Sequence, residues 1–234
     1  MAKIDIGTQN ELSRRAWLKR TLEGLSEGST ILDAGAGELA NKVYCQHLKY
    51  TSQDFCQYTG TGDSKSLQVG SWNTDEIDIV SDITKIPVED HSFDSILCSE
   101  VIEHLPYPER SIEELHRILK PGGQMIITAP FCSLTHFSPY HYSSGFNSYF
   151  YQYHLGRLGY EIEELVPNGD YFSFIAQELR RIPQIAQTYA NSEVSLLDNF
   201  FINQVLKLLT RLRKNDQKSH ELLCYGYHVR ARKK

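Results

Sequence analysis

The segment TILDAGAGE at residues 30–38 limits what this chain can fold into more than any other part of the sequence. Apolar residues surround Asp33, and Gly35 and Gly37 follow it closely. An apolar run that stops at an acid and breaks into glycines predicts a buried parallel strand that turns into a helix. The turn requires glycine because its backbone must pass close to a bound ligand, where a Cβ atom would intrude.

Further predicted strands alternate with helices along the chain. The patterns predict strands near 30–34, 50–54, 77–81, 93–98, 123–129 and 160–166, and a terminal strand over 220–231. They also predict an N-terminal helix over 11–28 and a second helix that begins at Pro108 and ends at the Lys-Pro-Gly-Gly sequence of 120–123. This alternation predicts a parallel sheet covered by helices, with ligands bound at the carboxyl ends of the strands.

Two acids and several short motifs downstream carry a resemblance to a known family. Asp54 ends the second predicted strand, Asp82 follows the third, and SFDSIL, EVIEHL and LKPGG come next in order. In this order the motifs resemble those of class I S-adenosylmethionine-dependent methyltransferases of the type 11-like group. The resemblance extends from about residue 29 to about residue 166. The resemblance implies an α/β fold: a Rossmann-like seven-stranded sheet with helices on both faces and a helical insert before the last strand.

The resemblance also implies methyl transfer with S-adenosylmethionine as the cofactor. The predicted cofactor contacts are Asp33, Gly35, Gly37, Asp54, Asp82, Ile83 and Ser99. Asp33 would help to hold the ammonium group, and Asp54 would accept hydrogen bonds from the ribose hydroxyls. Asp82 would contact the adenine amino group beside Ile83, or would instead cap a helix. Glu38 replaces a glycine common in the family and is expected in the first helical turn, where a carboxylate suits the helix dipole.

The sequence E-x-x-E-H at Glu100, Glu103 and His104 predicts a site for a divalent metal (Mg, Mn, Fe or Zn). On a helix these positions would share one face, just after the fourth strand. The pattern resembles small-RNA 3′-terminal 2′-O-methyltransferases and ubiquinone-pathway O-methyltransferases. The first group implies a further histidine after the fifth strand, for which we favour His141 over His136. The alternative interpretation is metal-free, with Glu100 lining the cofactor and His104 packing against a loop.

The catalytic candidates are His104 and His141, because imidazole titrates near neutral pH and can act as a general base. The region 131–154 is rich in aromatic residues and lies where this fold places its acceptor. The predicted acceptor contacts are His136, Tyr140, Tyr142 and Tyr149. The alternative for this region is an aromatic helix that packs against the sheet, which we expect to explain about half of these rings.

We expect methyl transfer to a hydroxyl of a small molecule or a glycan. The alternatives are metal-independent N- or C-methylation of a natural product or peptide, and a non-catalytic methyltransferase-like subunit that binds a partner through 170–215. The net charge of −5 disfavours nucleic acid as a partner. The N-terminus lacks an apolar signal core and no apolar run reaches about 20 residues, so we expect a cytoplasmic protein.

We expect one methyltransferase domain over 1–234, with the cofactor-binding core at 29–169. The connection 55–76 is long for a compact domain, which predicts a functional or mobile segment. The insert over 170–215 carries a leucine and phenylalanine stripe, for which we expect a helix that faces the core. A lid over the site or a homodimer contact is the alternative for this insert.

Overall fold

The structure, a computed structural model, describes residues 4–234 and contains one seven-stranded sheet. Its strands are β1 (Thr30–Ala34), β2 (Lys49–Asp54), β3 (Ile79–Val80), β4 (Phe93–Ser99), β5 (Leu119–Pro130), β6 (Tyr160–Asn168) and β7 (Gly226–Lys233). Its α-helices are α1 (Asn10–Glu23), α2 (Pro108–Ile118), α3 (Ser148–Arg157), α4 (Tyr171–Ala190) and α5 (Leu196–Arg213).

The strand order is β3-β2-β1-β4-β5-β7-β6. The strand β1 pairs in parallel with β2 and with β4, and β4 pairs in parallel with β5. The last strand, β7, runs antiparallel to β5. The order reverses between β1 and β4, so the carboxyl ends of these strands open a crevice at the switch point. This is the Rossmann-like seven-stranded sheet that the sequence predicted, with α4 and α5 as the helical insert before the last strand.

The apolar face of α1 packs against the centre of the sheet. Leu22 of α1 and Ile31 of β1 are both fully buried in one cluster, together with Trp17. Burying a leucine or isoleucine in this way stabilises the fold by about 2 kcal/mol. The Trp17 indole also donates from Nε1 to the Glu164 carboxylate at 3.0 Å, which satisfies its buried N–H.

The predicted helix after β1 is absent, and this prediction was wrong. Residues 35–48 form turns and one short 3₁₀ turn, Lys42–Tyr44, before β2 begins. Gly37 and Leu39 both have positive φ angles, +52° and +60°. A right-handed helix does not pass through left-handed residues, so the segment cannot wind into one. Glu38 therefore lies in a turn, without a helix dipole.

Other predicted boundaries also moved. The N-terminal helix ends at Glu23 and not at 28, and the last strand covers Gly226–Lys233 and not 220–231. The third strand shrinks to Ile79–Val80. Just before it, Asp78 accepts hydrogen bonds from the backbone N–H and hydroxyl of Ser52. The fifth strand begins at Leu119 and takes in the Lys-Pro-Gly-Gly sequence that was predicted to precede it. Pairing with β4 shifts register near Phe93, which accommodates the extra residues.

The described chain divides into two compact units. One consists of 14–166 and 226–234 and carries most of the sheet. The other consists of 4–13 and 167–225 and carries α4 and α5. The extent of the domains therefore stays a prediction. None of the helices formed by residues 4–234 has the length and apolar character that crossing a bilayer requires.

The unit with α4 and α5 has a small core of its own, formed by Ile6, Ala176, Leu206 and Leu209. The expectation that the leucine and phenylalanine stripe of the insert faces this core was wrong for most of its members. Exposed members of the stripe are Leu197, Phe200, Phe201, Val205, Leu208 and Leu212. Of the residues of α5, only Leu206 and Leu209 are buried in this core.

Candidate active site

The loop after β1, which we call the glycine loop, packs closely against two side chains at Gly35 and Gly37. Gly35 and Gly37 have φ angles of +74° and +52°. A Cβ atom at Gly35 would lie 2.4 Å from Val101, and one at Gly37 would lie 2.5 Å from Trp72. The N–H groups of Gly35 and Ala36 donate to the Gln53 carbonyl, which ties the loop to β2. Glycine is needed here both for conformation and for space.

The Asp54 carboxylate closes the other side of this loop. It is buried, and its oxygens accept from the backbone N–H groups of Gly37 at 3.0 Å and Cys56 at 2.8 Å. Each carboxylate oxygen has a second lone pair. The group is therefore fixed in place and can still accept hydrogen bonds from the hydroxyls of a ligand.

Asp33 is also buried, at the end of β1. Burial raises its pKa to about 7, although the Tyr50 hydroxyl donates to it at 2.8 Å and opposes this shift. The nearby Asp54 carboxylate raises the pKa further. A carboxyl group with this pKa can ionise when a cation arrives next to it.

The remaining predicted cofactor residues have varied surroundings. Asp82 is exposed, and its Oδ1 accepts from the backbone N–H and the hydroxyl of Thr84, both at 2.8 Å. The bonds define a turn, and no helix begins there, so the helix-cap alternative for Asp82 was wrong. Ile83 is buried, and the Ser99 hydroxyl lies 2.9 Å from that of Thr128.

The helix face predicted for the E-x-x-E-H sequence does not form. Glu100 has a φ angle of +56°, and only a 3₁₀ turn, Ile102–His104, follows it. The Glu100 carboxylate accepts from Arg14 at 2.7 Å and from the Thr128 hydroxyl at 3.0 Å. A left-handed residue interrupts a right-handed helix, so Glu100 does not share a helical face with its two partners.

Glu103 is fully buried, and both carboxylate oxygens lack a hydrogen-bond partner among the described residues. Its Oε1 lies 3.8 Å from Nε2 of His104. Burial, and then the Glu100 charge, raise the pKa of Glu103 well above its usual value. A buried carboxyl group in this position requires a proton or a cation beside it.

Three histidines meet next to Glu103. Each of His104, His136 and His141 has a ligand atom within 4.8 Å of those of the others. The Nδ1 atoms of His104 and His136 contact the carbonyls of Tyr140 and Leu134. Because a carbonyl only accepts, these Nδ1 atoms carry the hydrogen and each Nε2 keeps its lone pair. The structure thus brings together both histidines between which the sequence left a choice.

Burial favours the neutral forms of His104 and His141. It lowers the pKa of His104 to about 3, with a further decrease from His136. Burial and His136 also lower the pKa of His141. Neutral imidazole is the form that binds a metal ion or accepts a proton.

The predicted acceptor tyrosines are distributed along the segment after β5. The Tyr140 ring packs edge-on against Phe55, with ring centroids 5.0 Å apart. Tyr142 and Tyr149 are 54% and 73% exposed, so protein packing leaves much of each ring open to solvent. The backbone N–H of Tyr142 donates to the Glu103 carbonyl, which holds this segment against the histidine cluster.

Arg14 and Trp72 are two residues near the site that the sequence did not identify. Arg14 comes from α1 and reaches Glu100 over a separation of 86 residues. No local pattern distinguishes it from the other basic residues of that helix. Trp72 lies within the long connection 55–76. The length of this connection was the only feature of the sequence that pointed to a functional role there.

Comparison with known proteins finds methyltransferases. Residues 32–127 match the family model described as a methyltransferase domain. A ubiquinone biosynthesis O-methyltransferase of Alkalilimnicola ehrlichii is 31% identical over 49% of this chain and 47% of that protein. The chain spans about half the length, or less, of the curated relatives that it matches.

Solved structures share the fold at low sequence identity. The cyclase SpnF has a TM-score of 0.56 at 16% identity, over 97% of this chain and 83% of its own. Phosphoethanolamine N-methyltransferase 2 of Haemonchus contortus, solved with S-adenosyl-L-methionine, has a TM-score of 0.53 at 16% identity, over 95% and 52% of the two chains. These matches confirm the predicted Rossmann-like class I methyltransferase fold. Since one neighbour is a cyclase, the fold alone does not define the activity.

Proposed function

We propose that the protein transfers a methyl group from S-adenosylmethionine to a hydroxyl of a small molecule or glycan, with the help of a divalent cation. The observation that carries this proposal is the convergence of His104, His136 and His141. His104 follows three residues after Val101, whose side chain packs against Gly35 of the loop after β1. The match of residues 32–127 to a methyltransferase domain and the likeness to an O-methyltransferase support it.

The loop residues fit the cofactor. The positive φ angles of Gly35 and Gly37 would turn the loop close to it, Asp54 would accept from its ribose hydroxyls, and Asp33 would ionise beside its ammonium group. When bound, the cofactor would supply a methyl group on a positively charged sulfur. The Asp82 Oδ2 atom lies on an exposed side chain, where it could accept from the adenine amino group.

The acceptor hydroxyl must lose its proton as it takes the methyl group. A histidine with a pKa of about 3 holds a proton poorly at neutral pH, which makes His104 a weak general base. The same neutral side chain is a good metal ligand. A cation lowers the pKa of a bound hydroxyl and orients it, so metal assistance accounts better for this cluster than acid–base catalysis alone.

The donor set suggests which metal would bind. Three imidazoles favour Zn²⁺ or Fe²⁺ over Mg²⁺, which prefers oxygen ligands. The Glu103 carboxylate lies 3.8 Å from His104 and accepts no hydrogen bond from residues 4–234, so it would balance part of the positive charge. Glu100 is engaged by Arg14, so we assign it to the support of the site and not to the ligand set.

Two measurements test this proposal. Calorimetric titration with S-adenosylhomocysteine should show binding, and its absence would rule out cofactor-dependent methyl transfer and favour a non-catalytic subunit. Metal analysis of the purified protein should find one zinc or iron per chain, lost in His136→Ala and His141→Ala and retained in the control His154→Ala. Cofactor binding without metal would instead favour metal-independent transfer to nitrogen or carbon.

A further inference from the structure

Two segments of the sheet-bearing unit pair with each other above the glycine loop. We call them the cap: residues 57–73, after β2, and residues 134–140, after β5. The N–H of Leu67 donates to the Thr135 carbonyl at 3.3 Å, and the N–H of Phe137 donates to the Leu67 carbonyl at 2.9 Å. These bonds form an isolated parallel bridge outside the main sheet.

Side chains reinforce the pairing at Ser138. Its hydroxyl accepts from Ser66 at 2.7 Å and from the Gln68 amide at 2.8 Å, and it donates to Asp63. The Tyr58 hydroxyl donates to Gln68 at 2.6 Å. The two segments therefore form one connected piece, in which neither part can move far without breaking several hydrogen bonds.

An aromatic row within the cap runs from the glycine loop to the histidine cluster. The Trp72 ring fills the space where a Cβ of Gly37 would lie. Trp72 contacts Phe137 edge-on at 5.4 Å, and Phe137 stacks on His104 at 5.3 Å and 18°. The next residue, Asn73, donates its N–H to Glu38 at 3.2 Å, which anchors Trp72 beside the loop.

We propose that Trp72 is a cofactor-contacting residue that forms one wall of the cofactor site. The inference rests on the proposed function. No helix follows Gly37, and the side chain nearest to the position of a Cβ at this glycine comes from the cap. Trp72 is partly exposed, so it retains open ring surface for a ligand. An indole ring suits S-adenosylmethionine, since it can stack on adenine and attract a sulfonium cation.

The chain has two tryptophans, which makes this proposal directly testable. Trp17 is a buried core residue of α1, so Trp17→Phe leaves Trp72 as the single indole emitter. Titration of Trp17→Phe with S-adenosylhomocysteine should change the Trp72 emission, with the same Kd that calorimetry gives. In parallel, Trp72→Leu should weaken binding by about tenfold or more, while Tyr189→Leu, an exposed control, should leave it unchanged.

The outcomes separate the two proposals. Calorimetric binding with unchanged Trp72 emission, and with Trp72→Leu within twofold of wild type, would overturn this inference and leave the proposed function standing. Absence of binding to the wild-type protein would overturn both. If Trp17→Phe does not fold, the emission difference between the wild type and Trp72→Phe, measured with and without S-adenosylhomocysteine, gives the same readout. Thermal unfolding of Trp72→Leu distinguishes lost contact from lost structure.

Discussion

Asp33 shows how burial and charge compete within one side chain. A carboxyl group at the end of a central strand lies in a low-dielectric environment, which favours its neutral form. The Tyr50 hydroxyl opposes this effect but does not cancel it, because the pKa still rises to about 7. The residue is therefore close to half ionised near neutral pH, and an ammonium group beside it would complete the ionisation.

The stability of the protein should depend on pH through this residue. The folded-state pKa of Asp33 is raised, so its contribution to stability is full below about pH 4 and is lost as pH rises through about 7. Asp33→Asn removes the titration. The free energy of unfolding of Asp33→Asn minus that of the wild type should therefore rise by up to a few kcal/mol between pH 4 and pH 8. The affinity of this variant for S-adenosylhomocysteine should fall.

Denaturant unfolding at a series of pH values measures this difference. The matched control is Asp78→Asn, because hydrogen bonds from Ser52 lower the pKa of Asp78. A lowered pKa gives the opposite sign: stability is present above the unfolded-state pKa and is lost as pH falls. Asp78→Asn should thus be destabilising at neutral pH. If the free energy of unfolding changes with pH in the same way in the wild type and in Asp33→Asn, the raised pKa of Asp33 is contradicted.

At the scale of elements, the loop between β1 and β2 departs most from the predicted pattern. Its sequence contains the glycines that a strand-to-helix turn requires, yet positive φ angles at Gly37 and Leu39 prevent the helix. The loop is instead held by hydrogen bonds to β2, by Asp54 and by contact with Trp72. The cap thus covers a position where the sequence predicted the start of a helix.

Gly37→Ala should impair this loop beyond the cost of its backbone conformation. The added Cβ would lie 2.5 Å from the Trp72 ring, which must move, so we expect weaker S-adenosylhomocysteine binding by about tenfold or more. Gly28→Ala is the control, since Gly28 has a similar positive φ of +75° but nothing within 4 Å of the new Cβ. Calorimetry and thermal unfolding of both variants measure the difference. Equal losses of affinity would show that strain alone matters.

At the scale of the whole molecule, the larger part of the unit with α4 and α5, residues 167–225, comes between the last two strands along the chain. The cofactor loop, the histidine cluster and the cap all belong to 14–166, in the other unit. Residues 169–225 lead from the end of β6 to the start of β7, which are neighbours in the sheet. A short turn could therefore replace them without changing the strand order.

A variant that lacks 169–225, with β6 joined to β7 by a short glycine-rich turn, should fold and bind S-adenosylhomocysteine. We expect an affinity within about threefold of the full chain, because every assigned cofactor residue remains. Circular dichroism and calorimetry check this expectation. The full-length chain carrying the same turn sequence in place of residues 191–195, between α4 and α5, controls for the linker. A folded variant without binding would show that the inserted unit contributes to the site.

The sequence by itself determined the succession of strands along the chain, the glycines after β1 and the acid at the end of β2. These features depend on local periodicity and on residues adjacent along the chain, so they can be identified without distant contacts. The tertiary structure decided that Glu100 turns toward Arg14, that His136 and His141 both join His104, and that Trp72 lies on Gly37. Each of these contacts joins residues more than 30 positions apart, where burial and packing, and not local pattern, select the partner.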